Sequence, residues 1–546
     1  MKKYILWLGR AIRPQLGHVT LMMLCHVILA VCSVFFVYIC KKLVDIAVAV
    51  FNGNLTVDSV WKWLLFMAGV VIFRILLNAW RSYLQTKTEI RLKNNLRTHL
   101  FDILLRLQND GGRKHHTGDI LNRVQEDVRV VSSAVAAYIP NFFGAVLQFG
   151  AALIFLLYLD IRLALVLVIV LPVGMLVGKF ITGRIRNLTL DIRNRDSRVQ
   201  SHLQESIQHI TLLQTLEYEE TSSGELTDLQ NKLYSSELRR TRFSVVSRIF
   251  VALAFQAGYA VAFMWGVLGI SCGTVTYGMM TAFLQLVGQI QRPLLEMSSQ
   301  LPAIIHSTAS IDRILELESL PCEEDSDPIM LEGVAGISID NITFTYPDSS
   351  VPVLENFSHD FKPGSRTAIV GPTGVGKSTL IRLLLALLRP QKGNISVYTE
   401  GAKAAISPST RCNLVYVPQG NSLFSGTVRD NLIMGNPNAT DEQMSHALYL
   451  SAAEFVLEHP DGLDMKCFES GGGLSEGQAQ RIAIARALLR PGSILLLDEF
   501  SSALDAKTEI LLMERLTSAM ADHTMIFITH REKIIDYCTD VVRINK

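Results

Sequence analysis

The chain has 546 residues, 49% apolar and 18% charged, with a mean hydropathy of +0.29; it is too long for one hydrophobic core and too apolar for an ordinary soluble enzyme. Lys plus Arg (51) and Asp plus Glu (50) nearly cancel, so no overall basic field points to nucleic acid. Eight cysteines include no C-x-x-C pair, which leaves neither a zinc site nor a disulfide framework indicated.

Met1-Lys2-Lys3 precedes an apolar stretch without a small-residue cleavage site, which reads as an anchor rather than a removable signal. A helical span takes roughly 20 apolar residues, and six stretches approach that length: 20–40, 61–80, 134–159, 163–181, 249–270 and 277–302. The connection 51–59 holds no Lys or Arg, 160–162 is very short, and 271–276 is uncharged, so these should face outward. In contrast, 81–129 and 184–242 each hold about ten basic residues. The positive-inside rule places them, the N-terminus and the C-terminal third in the cytoplasm, as expected of a bacterial inner-membrane protein. Within these segments, 85–107 and 193–216 keep helical apolar spacing without Gly or Pro and read as membrane helices prolonged beyond the bilayer. The acidic, Pro-flanked stretch 321–328 reads as linker. Short β-branched runs then alternate with helical patterns, the mark of an α/β domain. The expected organisation is a membrane domain at 1–320, a linker at 321–334 and an α/β domain at 335–546.

The chemistry is concentrated in the last part. Gly371-Pro372-Thr373-Gly374-Val375-Gly376-Lys377-Ser378 matches G-x-x-x-x-G-K-[ST], follows the apolar run 368–370 and opens a helical run at Thr379. That order of strand, glycine loop and helix lets backbone N–H groups and a helix N-terminus surround phosphates, with Lys377 on the outer phosphates and Ser378 on Mg²⁺. The run 493–497 ends in Asp498 and Glu499, at the strand edge where α/β sheets place ligands. Asp498 is a candidate Mg²⁺ ligand. Glu499 is the candidate to orient or deprotonate the attacking water. Ser475 and Gln478 have the spacing of a helix capping box.

With these residues in place the chain resembles the ATP-binding cassette (ABC) transporter superfamily. Leu474-Ser475-Glu476-Gly477-Gln478 is similar to the family signature L-S-G-G-Q, with Glu476 in place of one glycine. Gln419 resembles the Q-loop glutamine, Ser502-Ala503-Leu504-Asp505 the D-loop, His530 the switch histidine and Tyr346 the adenine-stacking aromatic. Glu469 and 423–427 resemble features of the exporter branch. The resemblance implies a six-helix, all-α transmembrane domain of the type I ABC exporter kind followed by an α/β P-loop NTPase domain. It further implies catalytic roles for Glu499, His530 and Gln419, and Mg²⁺ held by Ser378, Gln419 and Asp498. ATP is expected on Tyr346, the loop 371–379, Ser475, Gly477, Gln478 and Asp505.

The same resemblance implies a half-transporter. ATP sits between the P-loop of one cassette and the signature of another, so a second half is required, with a homodimer expected ahead of a heterodimer. Transmitting turns are implied near 114–122 and 208–216. Export of an unidentified amphipathic small molecule, lipid or peptide is the expected activity; the alternative is an ATP-gated channel or membrane regulator. Within the spans, Arg74, Asn78, Gln285 and Gln289 are polar; intramembrane ionisable residues usually face an interior or a water-filled cavity, and for Arg74 an internal partner or snorkelling is expected ahead of a substrate contact.

Overall fold

The computed structural model describes residues 2–108, 117–323, 326–468 and 473–544, leaving the side chains of 2, 5, 117 and 166–182 outside that description. Two compact units emerge, 1–100 with 121–316, and 101–120 with 317–546.

The helical part runs α1 Lys2–Ile12, α2 Leu16–Phe51, α3 Val57–Leu105, α4 Thr117–Asn122, α5 Val128–Ser133, α6 Ile139–Leu159, α7 Ile161–Gln208, α8 Ile210–Thr215, α9 Glu219–Ser271 and α10 Tyr277–Glu318. Single π-turns at Arg123–Asp127 and Ala134–Tyr138 join α4, α5 and α6 into one rod. Helices α3, α7 and α9 have 49, 48 and 53 residues. At about 1.5 Å per residue that is about 70–80 Å, more than twice a hydrocarbon core of roughly 30 Å, so each must continue far past the bilayer. Among the described residues, Leu6–Phe51, Val57–Leu105, Gly118–Leu159 and Glu219–Ser271 are long and apolar enough to cross a membrane. The other two expected spans fall on α7, whose apolar stretch has undescribed side chains, and on α10, where Gln285, Gln289, Gln291 and Arg292 dilute the apolar run.

Inside this unit α2 packs on α6, α6 on α7, and α7 on α9. The α6–α7 turn is closed by Asp160, whose carboxylate accepts from the backbone N–H of Arg162 (2.9 Å) and Leu163 (3.1 Å) as an N-cap and from Trp265 Nε1 (2.8 Å) on α9. Only 6–28% of the apolar span windows is buried within the chain, which leaves their faces for lipid or another subunit. Below the spans, Leu92, Leu96, Leu100, Val128, Ile311 and Ile314 form a second buried cluster. Beside it lies a charged knot in which Arg313 donates to Asp127 through Nε (2.7 Å) and Nη2, while Arg123 Nη1 donates to Glu316 (2.7 Å) and to the carbonyl of Arg313 (3.2 Å).

The second unit contains two sheets. The antiparallel one, ordered β2-β1-β4-β5, comprises β1 Gly336–Phe344, β2 Leu354–Phe361, β4 Lys392–Tyr398 and β5 Lys403–Ala405. The parallel one, ordered β11-β3-β10-β9-β6, comprises β3 Arg366–Val370, β6 Leu414–Val417, β9 Ile494–Asp498, β10 Thr524–Ile528 and β11 Asp540–Arg543. A two-stranded pair, β7 Gly426–Thr427 and β8 Lys466–Cys467, borders the helices α12 Val428–Ile433, α13 Asp441–Leu450 and α14 Phe455–Glu458. Helix α11 is Lys377–Leu384, α15 Glu476–Leu488, α16 Ala506–Ala519 and α17 Glu532–Ile535. Strands β9 and β10 are buried at every position, which is why they read as unbroken apolar runs instead of alternating ones. α11 packs into the core between the two sheets; α12, α13 and α15 share a separate core.

The stretch read as linker is strapped down. Glu323 makes a two-pronged ion pair with Arg411 (2.7 and 2.6 Å), and buried Asn413 donates to Ile329 O (2.7 Å) while accepting from Leu331 N (2.8 Å). The end of α3 joins it, with Gln108 N donating to Pro321 O (2.9 Å) and Glu323 N to Arg106 O (2.7 Å). Segment 208–216 contains the end of α7 and α8, a single short helix before α9; of segment 114–122, residues 114–116 lie outside the described residues.

Asp127 has 2% side-chain exposure and Arg313 41%. Asp127→Ala should therefore cost about 2 kcal/mol, because the partly wetted guanidinium keeps some hydration when its partner is removed. The check is the thermal midpoint of the solubilised protein. A midpoint equal to that of the parent would show that the pair contributes nothing.

Candidate functional site

Strand register gathers the site. In the parallel sheet Val417 pairs with Leu497, Asp498 with Ile528, and Ile528 with Ile369. The chain therefore leaves β6, β9, β10 and β3 at one edge, where the loops after neighbouring parallel strands converge.

After β3, Gly374 (φ 83°) and Gly376 (φ 111°) lie in the left-handed region, which only glycine enters without cost. A Cβ on Gly371 would stand 2.5 Å from Ile544 O, so this glycine is also required by close backbone approach. α11 starts at Lys377, and its first N–H groups open toward the loop as an anion-binding end. The Lys377 side chain folds back over the loop and donates to the carbonyls of Gly371 (2.6 Å) and Pro372 (3.1 Å), with His530 Nε2 3.0 Å away. Burial pushes its ammonium pKa down, against the pull of Glu499 and Asp498. Pro372, Thr373, Gly374 and Ser378 are exposed on this loop, Val375 and Thr379 buried beneath it.

Glu499 follows β9 with φ 44°, a left-handed conformation that costs a non-glycine residue about 1 kcal/mol or more. It is held by its N–H to Ile528 O (3.0 Å) and by Gln480 Nε2 to its carbonyl (3.2 Å). Its carboxylate accepts from Gln419 Nε2 and lies 3.6 Å from His530 Nε2. Asp498, 5% exposed, has its carboxyl pKa raised by burial and then by Glu499; Lys377 and a hydrogen bond from Tyr416 offset this in part. Burial and Asp498 together push Tyr416 up to about 12. Five of the expected residues, Lys377, Gln419, Asp498, Glu499 and His530, thus form one contiguous cluster.

Tyr346 is half-buried against the edge of Phe344 (ring centroids 5.0 Å), and its hydroxyl is 3.1 Å from Thr379 Oγ1. It therefore stands beside the first turn of α11. Ser475 caps α15 in the expected box with Gln478, through Gln478 N to Ser475 Oγ (3.2 Å) and Ser475 N to Gln478 Oε1 (2.9 Å). Glu476 is exposed at the first helical position, where a carboxylate complements the helix dipole. A Cβ on Gly477 would stand 2.7 Å from Ala503 O, so this glycine lets α15 touch the 503–504 turn. Among the described residues no hydrogen bond or ion pair joins 474–478 to 371–378. Asp505 caps α16, accepting from Lys507 N and Thr508 N (3.1 Å each) and from Thr508 Oγ1 (2.7 Å). Glu469 lies outside the described residues.

Two functional neighbours escaped sequence reading. Gln480, 1% exposed, bridges Glu499 O and Ala503 N (3.4 Å); its only signal was a polar residue at a core position of a helix. Tyr416 gave none. Nor does any group of three His, Cys, Asp or Glu among the described residues form a metal site by itself. The donors nevertheless suit Mg²⁺ shared with phosphates: an exposed Ser378 hydroxyl without a described protein partner, the Gln419 oxygen left over once its nitrogen faces Glu499, and the Asp498 carboxylate.

Comparison with known proteins bears on both parts of the chain. Residues 19–294 match the family profile described as ABC transporter transmembrane region, and 354–502 that described as ABC transporter. A fatty acid ABC transporter ATP-binding/permease protein of Mycobacterium bovis is 28% identical over 447 residues, covering 82% of this chain and 70% of that protein. An uncharacterised ABC transporter ATP-binding protein of Bacillus subtilis is 29% identical over 441 residues, covering 80% and 73%. A bacterial Atm1-family ABC exporter solved with ATP bound superposes with a TM-score of 0.80 over 98% of this chain and 94% of that one, at 23% identity, and so shares the fold.

Asp498 generates a prediction with a definite sign. A carboxyl whose folded pKa lies above its unfolded value, about 3.9, contributes stability below that value and loses it as pH rises through the folded pKa. Burial and Glu499 put Asp498 in this class. Asp498→Asn should raise the nucleotide-free thermal midpoint near neutral pH by about 2–4 °C, with the difference shrinking in acid, while abolishing Mg²⁺-dependent turnover. A lowered midpoint would contradict the assigned electrostatics.

Proposed function

The chain belongs to the ABC transporter family, whose transmembrane-region profile matches 19–294, and on that premise we propose that two copies of it form one ATP-driven exporter. Each chain is a multi-pass membrane protein carrying an ATP-hydrolysing domain. The observation that carries the proposal is the cluster of Lys377, Gln419, Asp498, Glu499 and His530 at one sheet edge, in a chain that also supplies membrane-crossing helices.

In this reading ATP enters the loop 371–378 with its adenine on the ring of Tyr346 and its phosphates on the N–H groups of the loop and of α11. Lys377 exchanges two neutral carbonyls for the outer phosphates, a stronger charge-assisted contact. Ser378, Gln419 and Asp498 would hold Mg²⁺, which supplies charge neutralisation at the phosphate oxygens. Glu499, placed by its left-handed backbone and oriented by Gln419, accepts a proton from the attacking water. His530, beside both Glu499 and Lys377, stabilises the transferring phosphoryl group.

Ser475, Gly477 and Gln478 serve the ATP held by the other copy. Support comes from the hydrogen bonds of 475 and 478, which stay within α15, and from the absence of any described bond from 474–478 to the chain's own P-loop. The capped start of α15 then offers N–H groups to a second chain's phosphates. Asp505, engaged as the cap of α16, acts by holding the 502–505 turn under Gly477. Glu476 is accommodated at the helix start, which favours a homodimer with two equal sites. Closure of two cassettes on ATP can drive transport only because ATP binds the closed pair better than the open one. The N-terminus and the ATP-binding domains lie in the cytoplasm, the spans in the inner membrane, and domain boundaries fall at 1–320, 321–334 and 335–546. The M. bovis relative has fatty acid in its name.

Glu499→Gln keeps the side-chain shape and loses the base, so ATP binding should persist while hydrolysis falls by about 10²-fold or more. Phosphate release measured against nucleotide binding checks it; near-normal turnover would take Glu499 out of the catalytic role. Tyr346→Ala should weaken apparent ATP affinity by about tenfold with a smaller change in kcat, because stacking is made equally in ground and transition states. Tyr346→Trp should be tolerated. Unaltered ATP dependence in the alanine variant would make Tyr346 an ordinary packing residue.

A further inference from the structure

We propose that a polar cavity among the membrane helices binds the anionic head of an amphiphile, a carboxylate or phosphate on a hydrocarbon body, and that this charge preference sets the cargo class; the inference rests on the transporter reading above. The cavity is walled by α2, α3, α6 and α10 and has a volume of about 520 Å³, within the range of small-molecule sites.

Its charge is the first observation. The lining carries Arg74, Arg81 and a single carboxylate, Glu296. Glu296 is 3.7 Å from Arg292, one turn earlier on α10 and outside the lining. Arg81 is fixed entirely by neutral groups: Nε and Nη2 donate to Asn78 Oδ1 (3.3 and 3.0 Å), Nη1 donates to Asn141 Oδ1 (2.8 Å), and His26 Nε2 lies 3.2 Å from Nη1. These partners orient the guanidinium, and Glu296 in the same lining attracts it through space without a described hydrogen bond or ion pair to it. Arg74 stands two helical turns before Arg81 on the same face of α3. Its described contact is the face of Phe36, 5.5 Å from the ring centroid, and among the described residues it has no hydrogen bond or ion pair. An unneutralised arginine inside a span is costly and marks a water-filled or ligand-binding interior. With Arg74 and Arg81 against the one carboxylate of Glu296, the wall keeps an excess positive charge whose missing partner is an anion, and the guanidinium fork matches carboxylate and phosphate geometry.

The second observation is the apolar remainder. Leu29, Val71, Ile75 and Ala145 share the lining, so a hydrocarbon body can be accommodated next to the charged wall. The shape is set by backbone: a Cβ on Gly144 would stand 2.0 Å from the His26 ring, so the glycine is what lets α6 close over His26. On α10, Glu296 and Gln300 lie between Pro293 and Pro302, each of which removes a helical hydrogen bond, and irregular backbone at membrane depth is tolerated where it borders a cavity.

The test is calorimetric binding to the full-length protein in nanodiscs, corrected with empty nanodiscs, using octanoate, octyl phosphate, octanol, octylammonium and inorganic phosphate. Octanoate and octyl phosphate should bind, and the other three at least about tenfold more weakly. Arg74→Gln should weaken both anions by about tenfold or more, and Gln148→Glu, which adds a carboxylate to the lining without removing a guanidinium, should do the same. Equal binding of octanol or octylammonium, or anion affinity unchanged in both variants, would overturn the proposal. Inorganic phosphate binding as tightly as octyl phosphate would overturn the amphiphile. ATPase activity of the same parent preparation keeps the two levels apart: an active ATPase that binds no octyl anion contradicts this inference alone, whereas an inactive one contradicts the transporter reading.

Discussion

The structure depends on a parallel sheet whose strands all deliver their C-terminal ends to one edge. Because β9, β10 and β3 lie side by side in register, Asp498, Glu499, His530 and Lys377 reach one small volume although they come from segments up to 153 residues apart. Proximity of this kind is unfavourable without a ligand. Two carboxylates sit together, one is buried enough to have its pKa raised, and a lysine is buried enough to have its pKa lowered. The hydrophobic strands beneath hold the charges in place.

Glu499 shows how the strain is kept. Its left-handed backbone is fastened by Ile528 O on one side and by Gln480 on the other. Gln480 sits on α15, the helix capped by Ser475, and also holds the 503 amide. Arg531, next to His530, donates to the carbonyls of Ser502 (3.1 Å) and Leu504 (3.3 Å). The start of α15, the carboxylate after β9 and the histidine after β10 are therefore joined by one continuous set of hydrogen bonds.

Much of this was legible in sequence because the signals are local. The P-loop spacing, the Ser475–Gln478 cap and the apolar runs of β9 and β10 each specify their own few residues, and the structure forms each of them. Long-range pairings were not legible. The acidic stretch after Leu320 reads as linker from its composition, which gives no sign of the bonds that Arg411 and Asn413, 88 and 84 residues from their partners, make with segment 321–334. Tyr416 and Gln480 acquire their roles from neighbours across the sheet. The cap that Asp505 forms on α16, through Lys507 N, Thr508 N and Thr508 Oγ1, is a local pairing that the D-loop resemblance did not point to. In the membrane part, Arg81 reads as the start of a basic cytoplasmic segment; only its contacts with His26 on α2 and Asn141 on α6 reveal it as part of a cavity lining that also holds Arg74.

The central claim is that each ATP site is completed by a second copy of this chain. It is tested most directly by making two variants with different tags, Lys377→Ala and Ser475→Arg, and purifying the mixed particle in nanodiscs. Each variant alone should be inactive. In the mixed particle one site inherits both defects and the other neither, so Glu499-dependent ATP turnover should reappear. A mixed particle as inactive as its parents, or full activity in either variant by itself, would contradict a site shared between two copies.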